Sequence, residues 1–109
     1  MKIEIIRCLQ DNYSYLIIDE ITGDACIVDP SEAKPIIDFI STKKINLKFI
    51  LNTHHHYDHI GGNHDLKKRY NLNVVGFAGD KDRIPEIDIL ISDNQIWKEG
   101  NFQAKIYSS

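Results

Sequence analysis

The sequence predicts an α/β (α+β) fold in which a mixed β-sheet is flanked by helices. Short runs of β-branched and aromatic residues recur along the chain, which is typical of strands. Two stretches with helical spacing of apolar residues separate some of these runs. With 109 residues, 42% of them hydrophobic, the chain has the size and composition of one globular domain. We therefore predict a single domain over residues 1–109.

The strands follow from the apolar pattern in chain order. We predict strands at residues 2–7, 13–19, 25–28, 47–52 and 73–76, and a terminal hairpin formed by residues 95–98 and 102–107. Residues 20–24 have turn chemistry, so the second and third strands are expected to form a hairpin. Residues 79–88 are charged and contain a proline, which predicts a solvated loop.

Two helices are predicted from their end signals and apolar faces. Ser31 suits the N-cap of the first helix, whose apolar face consists of Ile36, Ile37 and Ile40. Pro35 falls in its first turns, where a missing N–H is tolerated, and Lys43 and Lys44 lie near its carboxyl end. A second helix is expected through residues 66–70.

Composition excludes several classes of function. The formal net charge is −3, from 13 Lys+Arg and 16 Asp+Glu, and no basic run is present, so a nucleic-acid partner is not expected. No apolar stretch approaches the roughly 20 residues of a membrane span, and the first residues do not form a signal peptide. Cys8 and Cys26 are too few for a disulfide framework, which predicts a cytoplasmic location.

The histidines are concentrated in one short segment. All five lie between positions 54 and 64, directly after the predicted strand at residues 47–52. Imidazole and carboxylate groups are preferred ligands of divalent ions such as Zn²⁺, and loops at the ends of buried strands often carry function. An alternative is a histidine-rich surface loop that binds metal adventitiously. The ordered offsets of an aspartate and two glycines within the segment favour a built site.

The spacing divides the segment into two pairs of ligands. His54 and His56 are two residues apart and can point the same way, whereas His55 would point away from them. Asp58 and His59 are adjacent and can reach a second metal where the chain turns. The glycines that follow, at positions 61 and 62, permit a sharp turn and close packing beside the site.

The histidine segment and the first strands resemble those of a known family. The pattern His54-x-His56-x-Asp58-His59 is similar to the metal motif of the metallo-β-lactamase superfamily. Within it, residues 53–63 (THHHYDHIGGN) resemble the corresponding segment of glyoxalase II, the hydroxyacylglutathione hydrolases. Residues 11–17 (DNYSYLI) and 25–30 (ACIVDP) resemble that family's opening strands, and the likeness runs from about residue 3 to the end.

The resemblance implies a four-layer αββα sandwich with a two-metal site at one edge. His54 and His56 would hold one ion, and Asp58 and His59 the other; zinc is expected, with iron or manganese as alternatives. Asp58 would also orient the metal-bound hydroxide that attacks the thioester of S-D-lactoylglutathione, releasing D-lactate and glutathione. The substrate-binding positions are not identified by the sequence.

The sequence also departs from the family pattern. The family uses a further histidine, a bridging aspartate and another histidine after the terminal hairpin, whereas no histidine follows His64 here. We therefore expect the N-terminal half of a catalytic domain, with weak or partial metal occupancy and little or no thioesterase activity. The alternatives are another metallo-β-lactamase-fold hydrolase, or a non-catalytic remnant or oligomerisation module. An exposed apolar sheet face predicts a homo-oligomer or a complementing C-terminal fragment.

The remaining polar and aromatic residues are assigned structural roles. The two cysteines are expected in the core, Tyr13 and Tyr15 on strand faces, and Trp97 in the packing of the hairpin. His64 is expected on the surface of the second helix. Asp29 is predicted to be a turn residue, with support of a ligand histidine as the alternative.

Overall fold

The chain is organised around one large mixed sheet in the computed structural model, which describes residues 1–9, 12–53, 61–84 and 86–105. Within those ranges the strands are β1 (Lys2–Cys8), β2 (Asn12–Ile18), β3 (Asp24–Val28), β4 (Asn46–Asn52), β5 (Asn73–Phe77), β6 (Ile89–Ile91), β7 (Ile96–Glu99) and β8 (Phe102–Lys105). The α-helices are α1 (Lys34–Ile40) and α2 (Asn63–Tyr70), and a short 3₁₀ helix spans Ala78–Asp80.

The sheet combines antiparallel and parallel pairing. Its strand order is β1-β2-β3-β4-β5-β6, and β7 and β8 form a separate two-stranded sheet. The first three strands pair antiparallel, whereas β3, β4, β5 and β6 run parallel. The carboxyl ends of β3 and β4 therefore meet at one edge of the sheet, which is where ligands bind in many open α/β sheets.

A register shift in β4 determines which side chains face the helices. Ala25 pairs with Leu47 and Cys26 with Phe49, so Lys48 is an extra residue in β4. Because of this extra residue, Leu47 and Ile50 both belong to the helix-side core, while Phe49 belongs to the opposite face.

Each face of the sheet carries its own core. The helix-side core has members from both helices and from the strands, and its completely buried aliphatic residues are Leu16, Ala25, Ile27, Ile36, Ile50, Leu66 and Val74. The hairpin-side core consists of Cys26, Phe49, Val75, Ile91, Trp97 and Phe102. The described residues thus form a helix layer, a six-stranded sheet and the two-stranded hairpin, and the predicted α/β (α+β) class with a mixed sheet is confirmed.

Aromatic side chains attach the hairpin to the sheet. The Trp97 and Phe49 rings meet edge to face with centroids 5.1 Å apart, and Phe102 contacts Phe49 in the same manner at 6.3 Å. Trp97 is 8% exposed, in agreement with its predicted packing role.

The β7–β8 hairpin leaves one part of its side of the six-stranded sheet uncovered. Ile3 and Ile5 on β1 are each 62% exposed, and Tyr13 and Tyr15 on β2 are also exposed. Ile5 pairs with Tyr15 across the two strands, so these side chains form a continuous surface. We call these four residues the β1–β2 face.

The structure confirms most of the predicted elements and corrects two. Helix α1 begins at Lys34 with Ala33 as its N-cap and no side-chain cap bond, so the prediction that Ser31 caps this helix is wrong. Pro35 does lie in the first turn, where its missing N–H costs nothing. Strand β6 was not predicted, because its three residues follow a charged loop and give no periodic signal.

The other elements lie close to their predicted positions. Helix α2 begins at Asn63, three residues before the predicted start. The hairpin forms as expected up to Lys105, and its predicted residues 106 and 107 lie outside the described residues. Among the helices that the structure describes, none has the length and apolar character needed to cross a membrane.

A buried aspartate joins the turn between β2 and β3 to the hairpin. The Asn101 side-chain amide donates to Asp19 Oδ2 at 2.6 Å, and the Ile21 backbone N–H donates to Asp19 Oδ1 at 3.0 Å. These hydrogen bonds, that from Asn101 above all, lower the pKa of Asp19 from its ordinary value of 3.8, because they stabilise the ionised carboxylate.

We expect the Asn101→Ala variant to lose a pH-dependent part of the stability. Because the folded-state pKa of Asp19 is lowered, the stabilisation is complete above the unfolded-state value near 3.8 and disappears as the pH falls through the lowered pKa. Urea unfolding of both proteins between about pH 3 and 6 tests this. A stability difference that is the same at every pH would contradict it.

Candidate functional site

The predicted metal ligands His54, His56, Asp58 and His59 lie outside the described residues, as does His55. The structure describes the residues on either side of them. Among the residues that the structure describes, no group of three or more His, Cys, Asp or Glu side chains is arranged to hold a metal ion.

Asp29 holds the first end of the histidine segment. It follows β3, is buried, and has a backbone φ of +50°, a conformation that Asp adopts more readily than most residues. Its Oδ1 accepts a hydrogen bond from the Thr53 backbone N–H at 2.8 Å, and its Oδ2 accepts one from the Thr53 hydroxyl. Asp29 is thus a turn residue, as predicted, and it also fixes the residue immediately before His54.

Gly62 anchors the second end of the histidine segment. Its backbone N–H donates to the Pro30 carbonyl at 2.7 Å, so both ends of the segment are attached to the connection between β3 and α1. A Cβ at Gly62 would lie 2.9 Å from the Pro30 oxygen, 2.9 Å from the Glu32 carbonyl carbon and 3.0 Å from the Ala33 nitrogen. Its φ is −90°, so close approach of the two backbones, rather than conformational freedom, requires glycine here.

A pair of asparagines joins the two ends directly. Asn52 is the last residue of β4, and Asn63 is the first of α2. Asn63 Nδ2 donates to Asn52 Oδ1 at 2.6 Å, and Asn52 Nδ2 lies 3.5 Å from Asn63 Oδ1. Each residue is 1% exposed, so the pair is fully buried.

Further polar contacts connect the first two strands to the same connection. Ser14 Oγ donates to the Asp29 carbonyl at 2.9 Å, and Cys8 Sγ lies 3.4 Å from Ser14 Oγ. The Leu9 backbone N–H donates a hydrogen bond to Glu32 Oε1. The ends of β1 and β2 are therefore tied to the residues that hold the histidine segment.

Helix α2 is attached at its outer surface to the loop before β6. His64 Nδ1 lies 2.8 Å from Glu86 Oε2, and Lys67 Nζ donates to Asp88 Oδ1 at 2.7 Å. Both His64 and Glu86 are exposed, which agrees with the predicted surface position of His64. His64 thus contacts Glu86 at the surface of α2.

An open depression adjoins the second end of the segment. Its volume is about 320 Å³, and it is lined by Leu9, Ser31, Glu32, Ala33, Lys34, Gly61 and Asp65. A smaller apolar cavity of about 220 Å³ lies on the opposite face of the sheet, beside Cys26 and Trp97. Of these two, the first is lined by Gly61, the first described residue after the histidine motif.

The cysteines are core residues, as predicted. Both are free and buried. Burial raises the pKa of the Cys26 thiol to about 12, because a thiolate would be poorly solvated in the hairpin-side core. Cys26 is therefore not a nucleophile.

The available donor groups fit a divalent metal. Three imidazoles and one carboxylate, from His54, His56, Asp58 and His59, have the chemistry that Zn²⁺ prefers. In the described part of the chain, Asp29 and Pro30 attach Thr53 and Gly62, which flank these residues in the sequence, to the β3–α1 connection.

Sequence reasoning predicted close packing at Gly62 but missed the asparagine pair. The available signal was the symmetry of the segment, which has an asparagine one residue before Thr53 and another directly after the two glycines. The contact between them depends on the distance from β4 to α2, which the spacing alone does not provide.

Comparisons with known proteins identify relatives of this chain. Residues 10–88 match the family model described as the metallo-beta-lactamase superfamily. The chain is 65% identical over 107 residues to a hydroxyacylglutathione hydrolase from Pelagibacter ubique, covering 98% of this chain and 45% of the relative. A hydroxyacylglutathione hydrolase from Methylococcus capsulatus is 40% identical over 106 residues, covering 97% of this chain and 41% of the relative.

Solved structures show the same fold. The crystal structure of the B3 metallo-beta-lactamase BLEG-1 superposes with a TM-score of 0.83 at 19% identity, covering 94% of this chain and 58% of that one. ETHE1 from Myxococcus xanthus gives a TM-score of 0.78 at 22% identity, covering 96% of this chain and 47% of that one. The chain spans less than half the length of the curated relatives it matches. Its sequence and its fold place it in the metallo-β-lactamase superfamily.

Proposed function

We propose that this chain carries the metal-binding part of a hydroxyacylglutathione hydrolase-like thioester hydrolase. The observation that supports the proposal best is the position of the histidine motif. It follows the carboxyl end of β4, and both of its flanks are anchored to the β3–α1 connection by Asp29 and Pro30. The 65% identity to a hydroxyacylglutathione hydrolase supports the substrate class, a glutathione thioester such as S-D-lactoylglutathione.

The motif residues receive distinct roles in this proposal. His54 and His56 would hold one zinc ion, and Asp58 and His59 a second; iron or manganese would suit the same donors. Metal ions in such a site acidify water and polarise the carbonyl that it attacks. Asp58 orients the attacking water toward that carbonyl, and Asp29 keeps Thr53, and with it the start of the motif, in place.

The proposal includes a partner and a location. The relatives extend well beyond the matched part, and the β1–β2 face is an exposed apolar surface beside the hairpin. We assign this face to the polypeptide that the relatives carry outside the matched part, which would supply the remaining ligands. The two free cysteines, and a 50% identical Arabidopsis thaliana relative named as cytoplasmic, support a cytoplasmic location.

The first test is metal binding by the chain itself. We expect His54→Ala and His56→Ala to weaken Zn²⁺ or Co²⁺ binding at least about tenfold, because each removes a ligand. His55→Ala is the matched control within the same segment and should bind like the wild type. Equal effects of all three substitutions, or no binding by the wild type, would overturn the assignment.

The second test concerns the partner. The chain should associate one to one with the remaining part of the Pelagibacter ubique relative, measured by sedimentation, and the mixture should hydrolyse S-D-lactoylglutathione faster than the chain alone. Ile5→Lys should weaken this association, because it places a charge in the β1–β2 face. If the chain instead forms stable dimers that exclude the added polypeptide, a second copy occupies the face and this assignment is wrong.

A further inference from the structure

The buried pair of Asn52 and Asn63 stands out from its surroundings. On the same face of β4, the residue two positions earlier is the fully buried Ile50, and one helical turn after Asn63 comes the fully buried Leu66. Aliphatic side chains would therefore suit both positions as far as packing is concerned. Burying two amides removes two carbonyl oxygens and two NH2 groups from water, a cost that their hydrogen bonds have to offset.

What the amide pair adds is geometry. Two hydrogen bonds that run in opposite directions, at 2.6 and 3.5 Å, define both the separation and the relative orientation of the two side chains. An aliphatic pair would hold the same space without fixing either quantity. Buried polar contacts of this kind specify one arrangement among several that would pack equally well.

The asparagine pair lies at the two ends of the histidine segment. Asn52 and Asn63 bound residues 53–62, the segment that contains the histidine motif. The hydrogen bonds from Thr53 to Asp29 and from Gly62 to Pro30 attach the two ends to the β3–α1 connection. The amide pair connects the same two ends to each other, so the distance spanned by the motif is set from inside the core.

We propose that Asn52 and Asn63 are positioning residues that set the span of the histidine motif and thereby its affinity for metal. This inference rests on the proposed metal site, but its structural part concerns only the two ends of the segment. Groups that orient metal ligands without touching the ion typically change metal affinity 10–100-fold when they are removed.

The decisive variant is Asn52→Leu/Asn63→Leu. Both amides are replaced together so that neither is left buried without the other, and the urea midpoint of the variant is measured beside that of the wild type. The Co²⁺ dissociation constant of the variant should rise about 10–100-fold, with a changed visible absorption spectrum of the bound ion. Asn46→Leu, at the exposed opposite end of β4, is the matched control and should leave both quantities unchanged.

A metal-free measurement separates this proposal from the proposed function. The Thr53 and Gly62 amides should exchange with deuterium about tenfold faster or more in the double variant, while the Val74 amide, which donates to Asp88, keeps its rate. If the wild type binds no metal, the proposed function fails, and the exchange rates still decide whether the pair holds the two ends. A double variant of wild-type stability with unchanged exchange and unchanged Co²⁺ affinity would overturn the proposal.

A single substitution covers the case in which the double variant does not fold. Asn63→Asp keeps the shape of the side chain but replaces the donating Nδ2 with an oxygen that faces Asn52 Oδ1, so the shorter of the two hydrogen bonds is lost. We expect faster exchange at Thr53 and Gly62 in this variant. Wild-type exchange rates at both amides in this variant would count against the proposal.

Discussion

Replacement of Gly62 by alanine is expected to lower the free energy of unfolding by about 3 kcal/mol. The new Cβ would lie 2.9–3.0 Å from three backbone atoms of residues 30, 32 and 33, and backbone atoms cannot rotate out of the way as a side chain does. The start of α2 would have to move away from the β3–α1 connection, which would lengthen the hydrogen bond from Gly62 to Pro30. Metal binding should weaken as well, because this bond holds the second end of the histidine segment.

Urea unfolding of the wild type and the variant measures this loss. Gly76→Ala is the matched control, because the atoms nearest to a Cβ at Gly76 are the side-chain Cδ1 atoms of Ile87 and Ile84 at 2.9 and 3.1 Å, while the Asn52 backbone oxygen lies at an ordinary 3.8 Å. These are the ends of side chains that can change rotamer, so we expect a loss of about 1 kcal/mol or less. If both glycines tolerated alanine equally, close approach of the backbones would not be the reason for glycine at position 62.

Replacement of Trp97 by alanine is expected to cost about 3–5 kcal/mol and to loosen the hairpin from the sheet. Trp97 is 8% exposed and makes the edge-to-face contact with Phe49, and its removal takes the largest side chain out of the hairpin-side core. A two-stranded hairpin has little stability of its own, so its attachment depends on such contacts. Trp97→Phe keeps an aromatic ring against Phe49 and should lose clearly less.

Cys26 provides a local measure of this effect. It lies in the same core, is 2% exposed, and has a pKa raised to about 12 by burial, so the wild-type thiol should react slowly with thiol reagents. In Trp97→Ala the thiol should react faster even where circular dichroism shows the sheet to be intact. Unchanged reactivity of Cys26 in that variant would show that the hairpin does not depend on Trp97 for its attachment.

Local patterns predicted most of the elements because they depend on neighbouring residues. The alternation in residues 13–19 and the compact apolar run at 47–52 correspond to β2 and β4, and the turn residues around Gly100 correspond to the turn of the β7–β8 hairpin. Ser31 misled the prediction of the first helix, since Ala33 occupies the N-cap. A favourable capping residue two positions away did not outweigh the packing that places the helix start at Lys34.

The order of residues alone was enough to identify the α/β class and the resemblance to the metallo-β-lactamase superfamily, and to predict metal ligands in the histidine motif. These features are local, because ligand spacing and apolar periodicity lie within a few consecutive positions. The support of the site came only from the folded chain. Asp29 reaches Thr53 across 24 positions, Asn52 meets Asn63 across 11, and the Gly62 backbone approaches Pro30. Such contacts depend on the parallel pairing of β3 with β4 and on the packing of α2, so no local pattern in the sequence records them.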